Sequence, residues 1–279
     1  MININISHSD KDALEAMETI RKNFVIEEKY GPFSYKDISN KFDSYLMLYF
    51  GLSENEKEFL RNIIFCCQRN VNSQFPDFVF DKGLIEHFHV FSSKETRKGS
   101  MQHKKFAEAE KWFDSHILLN NLLNNKTSLY DSRYQYDIEH EHNSHEYLIK
   151  SFKKNWEKHI SRLNGYKNCK DIVFFIVDYP NRYLKEQRRN ENLSEQELLN
   201  RQWYVLSRDR TLLQYIYTFK NDVDYVIYLS GHYSELIKLS SIPDIIKLIP
   251  NNLNFVEVNV TYTYEVQTLT GTSRGKGNK

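Results

Sequence analysis

The chain has 279 residues, with 38 basic side chains against 37 acidic ones, so no net field draws the whole molecule toward nucleic acid or membrane. Any such binding must rest on a local patch. Aromatics are abundant, with 19 Tyr, 18 Phe and 3 Trp, and a chain of this length can bury a large core.

Three cysteines, Cys66, Cys67 and Cys169, offer neither a disulfide framework nor a CxxC spacing, and read as reduced apolar residues of a cytoplasmic protein. The opening MININISHSDKD lacks the basic and apolar regions of a signal peptide. The longest apolar run, IVFFIV, falls far short of a membrane span, so no membrane partner is expected.

In chain order, SHSDKDALEAMETIRKNF reads as a helix with cap-type residues at its start. In SENEKEFLRNIIFCCQ, Ser53 and Glu56 have capping-box spacing ahead of an apolar-periodic run, which predicts a second helix. FPDFVFDKGLIEHFHVFSS then reads as two short strands joined by a turn at Asp81-Lys82-Gly83. Residues 98 to 119 predict a helix with Phe106, Ala109, Phe113 and Ile117 on one stripe, and the polar stretch from 120 to 143 a surface excursion.

The clearest amphipathic helix spans 144 to 163. Ile149, Phe152, Trp156, Ile160 and Leu163 share one face, and Lys150, Lys154 and Lys158 occupy the other. DIVFFIVDY is apolar on both faces, as a central strand of a covered sheet must be. The charged stretch from Arg182 to Trp203 is expected to be a partly helical excursion. DYVIYLS is a buried strand, a helical segment crosses Pro243, and FVEVNVTYTYEVQ alternates like an edge or half-exposed strand. The fold class that follows is α/β, a mixed central β-sheet flanked by helices. Residues 1–267 read as a single domain: a helical part over 1–70, a core over 71–180, and additional helices and strands over 181–267. A disordered tail is expected over 268–279.

The order helix, Pro-Asp strand, turn, acid-bearing strand, helix, buried strand, running from Ser53 to Tyr179, resembles the core of the PD-(D/E)xK nuclease superfamily, the restriction-endonuclease-like group. Pro76-Asp77 stands in the place of the PD, and Glu86-His87-Phe88 in the place of (D/E)xK. The resemblance implies a Mg²⁺- or Mn²⁺-dependent phosphodiesterase acting on nucleic acid, DNA favoured, in restriction or phage defence. Asp77 and Glu86 would be metal ligands, and a glutamate of the preceding helix, Glu56 or Glu58, would complete the set, Glu58 being preferred. Two carboxylates on neighbouring strands suit hard divalent cations, which supply Lewis acidity and acidify a bound water.

The departure is Phe88, at the position of the lysine. Some members of the superfamily supply that group from a helix packed on the sheet. At about 100° per residue, Lys153 lies beside the apolar stripe of the 144–163 helix and is the preferred replacement, ahead of Lys98 and Lys104. Gln102 and His87 are candidates for supporting or proton-transfer roles. Lys150, Lys154, Lys158, Arg188 and Arg189 could contact a phosphate backbone, and a homodimer is an allowed arrangement.

Hairpin register matters here. A four-residue loop puts Asp77 opposite Glu86 on one face, whereas a three-residue loop puts Asp77 opposite His87 and turns Glu86 away. The plainer readings are a hairpin with two polar interruptions, a packed core histidine at 87, and solvated basic faces. A catalytically inactive nuclease-like domain, binding nucleic acid or protein, is the alternative that Phe88 favours. His140, His142 and His145 lack zinc-hydrolase spacing and read as a solvated loop. No GxxxxGK[ST], GxGxxG or GxSxG occurs, so P-loop, dinucleotide and serine-hydrolase chemistry have no support.

Overall fold

The computed structural model describes residues 8–30, 46–70, 75–96, 99–100, 131–138, 142–166, 172–180, 183–189, 191–194, 200–258 and 262–269, with short pieces of 104–115 and 197–198. These residues fall into two compact units. One comprises 1–92 and 143–258, the other 93–142 and 259–279, so the region read from the sequence as one domain spans both.

In the first unit, α1 (His8–Tyr30) buries Ala13, Ala16, Met17, Ile20 and Phe24, the spacing of a helix that covers a sheet along one stripe. Strand β1 (Leu46–Phe50) follows, then α2 (Glu54–Cys66), whose capping box is formed as expected. Ser53 Oγ accepts from Glu56 N, while the Glu56 carboxylate accepts from Ser53 N at 2.8 Å. Next come β2 (Gln68–Arg69), β3 (Phe78–Phe80) and β4 (Gly83–His89).

The second unit contributes β5 (Glu95–Thr96) and β6 (Gly99–Ser100), which pair with each other, and β7 (Asp131–Ile138). The chain then re-enters the first unit with α3 (His145–Gly165), β8 (Ile172–Asp178), β9 (Leu184–Arg188), α4 (Arg210–Tyr217), β10 (Tyr225–Ser230), β11 (Tyr233–Lys238), α5 (Ile242–Lys247) and β12 (Leu253–Glu257). It ends in the second unit with β13 (Tyr262–Leu269), antiparallel to β7.

Seven strands form the mixed central sheet in the order β1-β11-β10-β8-β4-β3-β2. β4, β8 and β10 run parallel at its centre, and β2, β3 and β4 form an antiparallel meander at one side. Alternation along the central strands divides the core. Leu84, Phe88, Val173, Phe175, Val177, Val226 and Tyr228 pack with Leu148, Phe152, Trp156 and Ile160 of α3, and with Leu212, Leu213 and Ile216 of α4. Ile85, Phe174, Ile176, Ile227 and Leu229 pack on the opposite side with α1 and α2.

Several expectations change. The loop after β3 has only two residues, Asp81 and Lys82, because Phe80 pairs with Gly83. The register is nevertheless that of the four-residue case, with Val79 opposite Leu84. Only glycine fits at 83, where a Cβ would lie 2.1 Å from the Ile172 carbonyl oxygen and 2.2 Å from the Phe80 ring. The stretch 120–143 contains β7, and FVEVNVTYTYEVQ divides into β12 and β13, which belong to different sheets and units. A single alternating run carries no mark of where it changes partner.

Residues 184–188 form a strand rather than a helical excursion, because LKEQR pairs with β12. β1 and β11 went unrecognised: β11 follows β10 through a tight turn at Gly231, whose φ is +59°. The described residues between 104 and 115 are helical, while the stripe Phe106, Ala109, Phe113 and Ile117 lies outside the described residues.

Candidate functional site

The seven residues of β4 present two different surfaces. Glu86 and Phe88 point to the α3 side; His87 and His89 point to the α1 side.

On the α3 side, Asp77 and Glu86 close the open end of the hairpin. Asp77 N donates to Glu86 Oε2 at 3.1 Å, and His87 N donates to Asp77 Oδ2 at 2.7 Å. Side-chain carboxylates thus replace ladder acceptors just where β3 begins. The sequence-read carboxylates do come together.

Glu86 is 1% exposed, and its second oxygen lies 2.6 Å from His159 Nδ1 of α3. Phe88, at the lysine position, is buried and stacks on the His159 ring with centroids 4.7 Å apart and planes at 16°. Its other neighbours are Phe152, Trp156 and Phe175, so the position belongs to the aromatic core. Arg162, one turn further along α3, lies 3.6 Å from Glu86 Oε1 with its side chain 39% exposed.

Burial pushes the Asp77 carboxyl up to about 7, and the neighbouring Glu86 charge adds to this. Burial also raises Glu86 to about 7, against the lowering effects of its bond with Asp77 and of Arg162 and Lys158. His159 is pushed down to about 4, first by burial and then by the Arg162 and Lys158 charges, so its ring is neutral near pH 7. The Glu86–His159 contact is accordingly a hydrogen bond rather than a full ion pair.

Lys153 is not brought to the carboxylates. It sits over the Tyr215 ring of α4, 4.8 Å from the centroid. It precedes His159 by six residues, about 9 Å along the axis and well around the helix. Glu58 is exposed on α2, whose buried side is Leu60, Ile63 and Ile64, and no hydrogen bond or ion pair joins it to Asp77 or Glu86. Glu56, the other glutamate considered, is held by Lys238 of β11. Gln102 lies outside the described residues.

Lys150, Lys154 and Lys158 are exposed on α3, with Lys150 bonded to Glu146 at 2.6 Å. At four-residue spacing they run in one row toward Arg162. Arg188 and Arg189 are exposed at the end of β9. His145 belongs to a structural knot: its Nε2 lies 2.6 Å from Asp209 Oδ2, which also accepts from Tyr204 Oη at 2.9 Å. His142 is exposed, and His140 lies outside the described residues.

On the α1 side, His87 Nε2 and His89 Nδ1 lie 3.6 and 3.4 Å from the same oxygen, Asp178 Oδ2 of β8. His89 Nε2 lies 3.4 Å from Asp12 Oδ2 of α1. Burial opposes a charge on His89, but Asp12 and Asp178 outweigh it and the imidazole pKa is raised.

Sequence reading assigned no role to His159, Arg162, His89, Asp178 and Asp12. Two signals were available: His159 interrupts the apolar stripe of α3 three residues after Trp156, and Asp178 ends an otherwise apolar strand.

A cavity of about 810 Å³ lies elsewhere. Phe59, Ile63, Val79, Phe80, Lys82 and Tyr166 are among its walls, and none of the carboxylates or histidines above lines it. No described helix is long and apolar enough to cross a membrane. Comparison with protein-family models, curated proteins and solved structures finds no match.

Proposed function

We propose that this protein hydrolyses phosphodiester bonds in nucleic acid, with DNA the favoured substrate, at the Asp77–Glu86 end of the hairpin. The observation that carries this reading is the convergence of Asp77 and Glu86, opposite each other across the hairpin, beneath Arg162 at the end of the basic row on α3. The element order from α2 through the β2–β4 meander, α3 and parallel β8 supports it as well, since it resembles the order of a PD-(D/E)xK core. A role in restriction or phage defence rests on that likeness alone.

The donor set fits a hard divalent cation such as Mg²⁺ or Mn²⁺ in its chemistry. Asp77 and Glu86 are carboxylates from adjacent strands, close enough for each to accept a hydrogen bond from the backbone beside the other. Such an ion, when bound, supplies Lewis acidity and an acidified water.

The chain's own groups have separate tasks. Arg162 offers a half-exposed guanidinium at the rim, suited to a phosphate oxygen. Lys154 and Lys158 extend the same cationic row for the flanking backbone, without reading sequence. His159, neutral and fixed by its stack on Phe88, orients Glu86 through Nδ1.

A second reading is favoured by one specific observation: Phe88 is core, and both Glu86 oxygens already have partners. On this view the hairpin is a degenerate nuclease-like element, and the basic row binds nucleic acid or protein without cleavage.

One experiment separates the two. Plasmid, single-stranded DNA and RNA are incubated with the protein plus Mg²⁺ or Mn²⁺, beside Asp77→Ala and Arg162→Ala. The hydrolytic reading expects DNA cleavage that falls to background in Asp77→Ala and is weakened in Arg162→Ala. No cleavage by the wild type, with binding that declines steeply as salt rises, supports the second reading. Cleavage undiminished in Asp77→Ala rules out the hairpin as the site.

A further inference from the structure

We infer that His87, His89 and Asp178 form a second, separate site that binds one divalent first-row transition-metal ion of the Zn²⁺ or Co²⁺ type. The inference is independent of whether the hairpin cleaves phosphodiesters.

His87 and His89 are two apart on one strand, so both imidazoles leave the same face, and their rings lie 4.7 Å apart edge to face. β8 runs parallel to β4 with His89 directly opposite Asp178, which brings the carboxylate level with the imidazoles. The three donor atoms lie within 4.8 Å of one another.

Two facts point to a ligand. His87 Nε2 and His89 Nδ1 are both buried, and neither has a hydrogen-bond partner among the described residues. A buried nitrogen left unsatisfied is costly, and here two face one carboxylate oxygen, at 3.6 and 3.4 Å, beyond good hydrogen-bond length. Those separations suit atoms sharing an ion: ligands at about 2.0–2.1 Å in tetrahedral array lie roughly 3.3–3.4 Å apart. The second fact is Asp12 of α1, whose Oδ2 faces the other nitrogen of His89 at 3.4 Å. A carboxylate there holds the proton on Nε2 and leaves the Nδ1 lone pair for the metal, the usual support of a ligating histidine.

Donor chemistry sets the class of ion. Two imidazoles and one carboxylate favour borderline transition ions over Mg²⁺ or Ca²⁺, which prefer all-oxygen cages. Three protein donors leave a fourth position for water or an anionic ligand. Position agrees, since His89 and Asp178 are the last residues of two parallel strands, and the carboxyl ends of such strands are where open α/β sheets hold ligands. Asp178 is 14% exposed and His89 29%, so the cluster lies near the surface.

The test uses the untagged full chain, stripped with chelator and titrated with Zn²⁺ by calorimetry, then examined by X-ray absorption. The expected result is one ion per chain with two imidazole nitrogens and oxygen donors at about 2.0–2.1 Å, and a higher melting temperature at saturation. His89→Ala and Asp178→Asn should weaken binding by more than about 100-fold, and Asp12→Asn by about 10- to 100-fold. Glu146→Gln, at an exposed position of α3, should bind as the wild type does.

The inference is overturned if the wild type takes up no stoichiometric ion. It is equally overturned if folded Asp178→Asn binds undiminished, if Glu146→Gln abolishes binding, or if removing His140 and His142 abolishes it. Should His89→Ala fail to fold, Asp178→Asn and Asp12→Asn decide the matter, because both keep side-chain volume.

Discussion

The two faces of β4 solve the same problem, a buried polar group on a central strand, in opposite ways. On the α3 face Glu86 is fully partnered, by the Asp77 backbone, His159 and Arg162, and its surroundings are aromatic and closed. On the α1 face His87 and His89 keep nitrogens that have no hydrogen-bond partner among the described residues and face Asp178, beside a partly exposed rim. The lesson is that an acid in a motif position is not by itself the better metal ligand. Availability of lone pairs matters as much as residue type.

The largest expected effect tests how closed the α3 face is. Phe88→Ala removes a buried ring flanked by Phe152, Trp156, His159 and Phe175, and should cost about 3–5 kcal/mol in chemical denaturation. A loss below about 1 kcal/mol would mean that this face is loosely packed and that position 88 is open to other side chains.

A buried carboxyl away from β4 supplies a reference. Glu235 of β11 is fully buried, accepts from Ser207 N at 2.9 Å and from Tyr233 Oη at 2.7 Å, and burial raises its pKa to about 7 despite those bonds. The folded state therefore holds this proton more tightly than the unfolded chain, with its ordinary value of 4.5. The resulting stability is complete at acid pH below the unfolded value, and is lost as pH rises through about 7. Glu235→Gln should accordingly gain ~3 kcal/mol relative to wild type between acid and mildly alkaline pH, measured by urea unfolding across that range. A difference independent of pH would refute the assignment.

His159→Ala sharpens the contrast by orphaning one oxygen of Glu86. It should cost about 1–3 kcal/mol and alter the hairpin end, yet leave Zn²⁺ affinity unchanged. Loss of metal binding in this variant would couple the two faces. The smallest effect belongs to Lys153→Ala. Its cation–π contact with Tyr215 is worth no more than about 1 kcal/mol at a partly exposed site, and any DNA cleavage should stay near the wild-type rate. A variant that folds but no longer cleaves would return Lys153 to the catalytic set.

Much of this was legible from local patterns. The stripe of α3, the capping box of α2 and the apolar runs of β8 and β10 each satisfy one period, and each formed. Where one stretch serves two partners the pattern misleads. β12 and β13 continue one alternation into two sheets, and β9 forms from charged residues because β12 is there to pair with it. Lys153 lies apart from the carboxylates for a related reason: helical angle gives a side chain's direction but not what occupies the space it reaches, and here Tyr215 lies there.

For the sites themselves, the amino-acid order alone determined that Asp77 and Glu86 flank a short turn, that His87 and His89 share a face, and that Phe88 denies the hairpin its lysine. These follow from the period-two geometry of an extended chain. Tertiary structure alone decided that Asp178 stands opposite His89, that Asp12 backs the same ring, and that His159 and Arg162 close over Glu86. Those groups lie tens of residues from β4 in the chain. They meet it only through strand register and helix packing, and no local periodicity encodes either one.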